Sequence, residues 1–141
     1  MEGNVNYAGI MRRFVAGIID AVIILISVGL INMAMGYILA GDFFSIEELG
    51  WAPTINSILV GWLYCAFLES SQKQATLGGI ILGYKVCDEN MNRISFVKAT
   101  VRHIGIYVST FTLLIGYIMI AFTKKKQALH DIIAKTVVIT K

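Results

Sequence analysis

RRFVAGIIDAVIILISVGLINMAMG, residues 12–36, is the stretch from which the rest of the chain is read. It opens on Arg12-Arg13 and is then apolar for about two dozen residues, apart from one carboxylate, Asp20. At 1.5 Å of rise per residue, roughly 20 such residues cross the hydrocarbon of a bilayer. Arg13 and Asp20 share a helix face, about two turns or roughly 10 Å apart along the axis. An arginine at the membrane edge snorkels to the headgroups. A deeper aspartate does not, and costs ~2.5–3.5 kcal/mol near a helix centre on insertion scales. Four things can offset that cost: the Arg13 guanidinium, a polar group on another helix, a trapped water or a bound cation. Ala16 and Gly17 flank the space between the charges, and Ser27 and Ala34 continue the seven-residue row from Asp20. Small side chains let backbones approach, so this face is expected to meet protein rather than lipid.

Composition agrees with a membrane setting. Of 141 residues, 57% are hydrophobic and 15% charged, whereas a soluble domain sits near 45–50% and about 25%. The chain leaves no room for a separate soluble enzyme domain beside its spans. The net charge of +3 comes from basic residues that flank apolar segments, a topogenic pattern without the aromatic interleaving or motifs of a nucleic-acid binder. Cys65 and Cys87 lack metal-ligand spacing and are expected to be reduced and inert. Asp20 and the length of the apolar run argue for a retained first span over a cleaved signal peptide.

The order of segments gives an all-α integral membrane protein, a single domain over 1–141. It is a bundle of three hydrophobic segments, near 12–38, 52–69 and 99–122, with a small cytoplasmic β-hairpin or strand element. Tyr7 precedes the first segment where an interfacial aromatic belongs, and Trp51 and Pro53 open the second. The connector between them carries Asp42, Glu47 and Glu48 and no basic residue. Arg12-Arg13 before it and Lys73, Lys85, Arg93, Lys98 and Arg102 after the second segment place the N-terminus and the 70–98 loop in the cytoplasm of a multi-pass plasma-membrane protein. The third segment ends at Lys124-Lys125-Lys126. A single crossing leaves that cluster outside, against the charge rule, so a broken or re-entrant segment with a cytoplasmic tail over 123–141 is favoured. The stretch around 98–107 also suits an amphipathic helix along the interface, with His103 at the lipid boundary.

Residues 74–96 form two short runs around an Asp/Glu/Asn-rich turn and read as a hairpin or an extended loop. The glycines there are not followed by the lysine and serine/threonine of a phosphate loop, and nothing in the chain asks for a metal or a cofactor. The β-branched tail Thr136-Val137-Val138-Ile139-Thr140 reads as a strand able to pair with residues 85–88.

Three motifs resemble the RDD family of bacterial and archaeal membrane proteins, named for one arginine and two aspartates. They are Arg13-Phe14-Val15-Ala16-Gly17-Ile18-Ile19-Asp20; Gln74-Ala75-Thr76-Leu77-Gly78 with Leu82-Gly83, Val86-Cys87-Asp88 and Ser95-Phe96; and Gln127-Ala128-Leu129-His130-Asp131 with Ala134 and Thr136-Val137-Val138. Gly79 stands where a basic residue is usual and Met91 where a turn glycine is usual, which puts a tight turn at 91 in question. The resemblance implies a multi-spanning fold and singles out Arg13, Asp20 and Asp131, with Asp88 as the alternative second aspartate. Some relatives are described as sodium/proton antiporters, others as regulators of membrane enzymes.

Two functions follow as expectations. In the first, Asp20 alternates between a proton and Na⁺, tuned by Arg13, with Asp131 or His130 as a cytoplasmic relay. The chain is short for alternating access and has no inverted repeat, so transport requires an oligomer. In the second, Arg13, Asp20 and Asp131 tie the termini together in a scaffold or regulator that meets a second copy or another membrane protein. Thr76, Gly78, Gly83 and Asp88 form the loop motif under either. An enzyme is not expected, because His103 and His130 lack HExxH-like or triad-like context. Tyr64, Tyr107 and Tyr117 are expected to be packing and belt residues.

Overall fold

The computed structural model describes residues 5–42, 50–111 and 115–141. Helix α1 runs Ile10–Ala40 and closes on Gly41, whose φ of +73° suits a residue without Cβ and lets its N–H cap Tyr37 O at 3.0 Å. Ile10–Leu39 is the one described helix both long and apolar enough to cross a membrane. Helix α2, Ala52–Ser70, takes Pro53 in its first turn, where the missing N–H costs nothing, and spans about 28 Å. The third apolar segment supplies α4, Phe96–Phe111, and α5, Ile115–Phe122. Residues 112–114, where an expected break would lie, are outside the described residues, as are Glu47, Glu48 and the Tyr117 side chain.

The 74–96 stretch departs from the expected hairpin. Its first run is a short helix, α3, Leu77–Ile81, with Thr76 as N-cap, and its second run opens α4. Strand β1, Tyr84–Asp88, pairs with the C-terminal strand β2, Thr136–Thr140, antiparallel, with Lys85 opposite Ile139 and Asp88 opposite Thr136. This is the pairing read from the β-branched tail. The turn after β1 survives without glycine: Met91 takes φ +65° and its N–H meets Asp88 O at 3.0 Å. A six-residue helix, α6, Leu129–Ala134, leads into β2. Tyr7 bridges Ile139 through its backbone, with Ala8 N–H on Val138 O and Thr140 N–H on Asn6 O at 2.9 and 2.8 Å. Both termini therefore meet on one small sheet.

The molecule has a packed end and an apolar end. Ala8, Ala16, Ala66, Tyr84, Val86, Ile94, Ala99 and Val138 form the buried core at the Arg13 end, with Trp62 and Phe96 edge to face against it. Farther along, Leu25, Leu30, Ile38 and Ile55 stand exposed on α1 and α2, a surface suited to lipid rather than water. Helix α4 repeats the pattern: Val97, Val101, Ile104 and Val108 face outward while Arg102, His103 and Ser109 are buried. A helix against water would do the reverse.

The buried row on α1 is Ala16, Asp20, Val28, Asn32 and Gly36. The seven-residue row expected from Asp20 fails at Ala34, which is exposed, as is Gly17. Steps of four follow the partners instead: α3 packs beside Ala16 and Asp20, and Asn56 of α2 donates to Asn32 Oδ1 at 3.1 Å.

Candidate functional site

Asp20 is held by neutral donors, which corrects the expectation of an Arg13–Asp20 pair. Tyr64 Oη donates to Oδ1 at 2.6 Å, Gly78 N–H donates to the same oxygen at 2.8 Å, and Thr76 Oγ1 donates to Oδ2 at 2.6 Å. The arrangement follows from the start of α3, whose first N–H groups have no intrahelical acceptor. Leu77 N–H goes to Tyr64 Oη at 3.2 Å, Gly78 N–H to Asp20 and Gly79 N–H to Thr76 Oγ1 at 3.3 Å. Tyr64 and Thr76 thus each accept from α3 while donating to the carboxylate. A methyl at Gly78 would overlap the Ala16 carbonyl and come within 2.9 Å of Asp20 Oδ2. Only glycine lets α3 approach this closely.

Arg13 turns instead to the C-terminal segment. Its guanidinium pairs with Asp131, while Nε and Nη2 donate to Ala8 O at 3.2 Å and Lys126 O at 2.7 Å. Asp131 is fully buried and also accepts from Arg102 Nε at 2.9 Å and from Ala128 N–H at 3.0 Å, the latter at the entry to α6. Arg102 pairs in turn with Glu69 at the end of α2. Two arginines and two carboxylates thereby bind α1, α2, α4 and α6 at one end of the molecule, with formal charges cancelling. Burial alone would raise the Asp131 carboxyl, but Arg102 and Arg13 outweigh it and hold it well below the usual carboxylate range.

His130 lies beside this network, Nε2 3.6 Å from Asp131 Oδ1 and Nδ1 3.3 Å from Ser109 Oγ. Burial outweighs the attraction of Asp131 and pushes the imidazole down to about 3. It is therefore neutral at physiological pH, which removes the titration that would qualify it as a relay. α6 reaches α4 closely at Gly105, where a Cβ would sit 3.0 Å from His130 Cα.

Of the loop motif, Thr76 and Gly78 join Asp20, whereas Gly83 and Asp88 shape backbone elsewhere. Gly83 turns α3 into β1 with φ +67°, and Asp88 Oδ1 accepts from Asn90 and Asn92 N–H at 2.9 and 2.8 Å. Asp131, not Asp88, meets Arg13. Cys87 is buried on β1, and burial raises its thiol. Tyr64, expected to be a packing or belt residue, instead donates to Asp20, and Glu69 and Arg102 were not read as site residues from sequence. The latter two are charges at the end of an apolar run, a position that suits a topogenic flank equally well. His103, expected at the lipid boundary, is 9% exposed and packs edge-on to Tyr107 with ring centroids 5.3 Å apart.

A chamber of about 280 Å³ adjoins both constellations, with Arg13, Asp20, Glu69, Thr76, Arg102 and His103 in its wall.

The RDD family model matches residues 7–135. The chain is similar to "Uncharacterized protein YxaI" of Bacillus subtilis (strain 168), 36% identical over 95% of this chain and 97% of that one. It is also similar to "Uncharacterized membrane protein YteJ" of the same organism, 27% identical over 94% of this chain and 80% of that one. No solved structure matches it.

Proposed function

Since the chain belongs to the RDD family, we propose that it is a multi-pass plasma-membrane protein acting as a non-catalytic scaffold or regulator of a partner membrane protein. The observation that carries this is the Asp131 network, which joins Arg13, Arg102 and, through Arg102, Glu69. Its charges cancel within the protein, and its effect is to tie α1, α2, α4 and α6 together at one end. Asp20 extends the same work, with both oxygens engaged by α2 and α3. Cation exchange is disfavoured by the three donors that already fill the Asp20 carboxylate.

In the bilayer, α1 and α2 cross with the acidic connector outside. Segment 96–122 enters and returns, because Arg102 near its start and Lys126 just beyond its end both contact Arg13 or its partner Asp131. Both termini are then cytoplasmic, as the basic flanks require. The tied end meets a second copy or another membrane protein.

Sodium/proton antiport through Asp20 is the second reading, favoured by the polar chamber at its side. Proteoliposomes with an imposed pH gradient separate the two. The scaffold reading expects no gradient collapse on adding Na⁺ or K⁺, and expects crosslinking in native membranes to trap a discrete complex. Exchange by the wild type, lost in a folded Asp20→Asn variant, would overturn it.

A further inference from the structure

The only buried side-chain polar atoms without a hydrogen-bond partner among the described residues are the two ring nitrogens of His103. A buried imidazole left so carries the desolvation cost of its polar ring atoms with nothing to offset it. His103 also stands at a junction. It lines the polar chamber of about 280 Å³ and, on its other side, a groove of about 360 Å³ whose wall includes Leu25, Val28, Gly61 and Tyr107. Ala21 and Ile24 border both spaces. Apart from Ser57 and His103 the groove is walled by apolar and aromatic side chains, and the Ser57 hydroxyl is occupied by Pro53 O at 2.8 Å. Its rim residue Leu25 belongs to the exposed apolar surface of α1.

We propose that this junction binds an uncharged amphiphile with a hydroxyl head, the chain in the groove and the hydroxyl on His103. The chemistry of the wall sets the class. The groove is lined mostly by Ala21, Ile24, Leu25, Val28 and Gly61, with the Tyr107 and Ser57 hydroxyls as its polar groups besides His103, so most of its wall suits a hydrocarbon tail. The ring nitrogens of an imidazole can donate or accept, and a hydroxyl meets either, whatever the tautomer, while a carbonyl meets only an N–H. A charged head is excluded by the chamber itself. Arg102 is paired with Glu69 and Asp131, Arg13 with Asp131, and Asp20 is filled by three donors. A carboxylate or ammonium entering there would have to break one of those pairs to find its counter-charge.

The test uses the full-length protein in detergent, with dodecan-1-ol, dodecanoate and dodecane as probes and thermal unfolding as the readout. The alcohol is expected to raise the midpoint saturably, and dodecanoate and dodecane to do so at least about tenfold less potently, the worth of one good hydrogen bond. His103→Leu is expected to weaken the alcohol about tenfold. Gly61→Phe, which adds a ring to the groove wall at a position where a Cβ meets nothing within 4 Å, is expected to abolish the effect, its own cooperative unfolding transition showing that it folds. No saturable shift with the alcohol, equal shifts with all three probes, or a shift that survives Gly61→Phe would each overturn the proposal.

Discussion

Replacing Asp131 by asparagine tests the central claim of the site, that charge balance inside the Arg13 end holds the helices together. The change keeps the shape and one acceptor oxygen but leaves two arginines against Glu69 alone. Arg102 retains Glu69 as partner; Arg13 is left with only the carbonyls of Ala8 and Lys126. Asp131 is fully buried, so solvent does little to screen the stranded guanidinium. Removing one member of a buried ion pair costs about 3–5 kcal/mol, and the short-range acceptor kept by asparagine places the expectation at the lower end, about 3 kcal/mol. The double variant Arg13→Gln with Asp131→Asn restores neutrality. Its cost should fall short of the sum of the two single costs by about 2 kcal/mol, within the range seen for directly bonded pairs. Equilibrium unfolding in mixed detergent micelles measures all four corners of the cycle. A coupling within about 0.5 kcal/mol of zero, or a single-variant cost below about 1 kcal/mol, would refute the reasoning.

Other outcomes follow from the same geometry. Gly78→Ala should destabilise by about 2 kcal/mol or more, because the methyl forces α3 off the Ala16 carbonyl and off Asp20; the midpoint in the same micelles reports it. Asp20→Asn should cost about 1–3 kcal/mol, since its amide NH₂ opposes one of three donors; unfolding measures the loss. His130 predicts a pH dependence with a definite sign. Its folded value of about 3 lies below the ordinary 6.5, so the unfolded chain binds the extra proton between the two. Its contribution is complete above about pH 6.5 and falls by about 1.4 kcal/mol per pH unit below that, toward pH 3. Asp131, also depressed, adds its own loss only at more acid pH. His130→Asn should flatten the slope between pH 4 and 6, and an unchanged slope would count against a buried neutral imidazole.

Much of this was legible in the residues, and the misses have physical causes. The β-branched run 136–140 and the Val86-Cys87-Asp88 stretch announced strands, and pairing between them closed the chain on itself as expected. Arg13 and Asp20 do share a face, but proximity along a helix says nothing about better partners arriving from elsewhere. Asp131 offers Arg13 a full charge, whereas α3 brings Asp20 three neutral donors. Helix α3 itself was hidden because five residues with two glycines carry no helical period; it exists because the Thr76 cap and the Asp20 carboxylate satisfy its first N–H groups. His103 was misplaced because a polar residue near the end of an apolar run suits the lipid boundary and the protein interior equally well. Met91 shows the opposite case: a glycine position filled by another residue still turns, because the Asp88 side chain and carbonyl hold both arms of the bend.

The separation between Arg13 and Asp131, 118 positions, has a consequence for biosynthesis. At ~5–20 residues per second, the ribosome supplies the counter-charge on the order of ten seconds after the arginine has emerged. During that interval the Arg13 guanidinium has the Ala8 carbonyl within reach but not its carboxylate. Arrival of the final helix and strand then acts as a closing latch, so a chain that stops before Asp131 leaves Arg13 without its counter-charge and β1 without its partner strand.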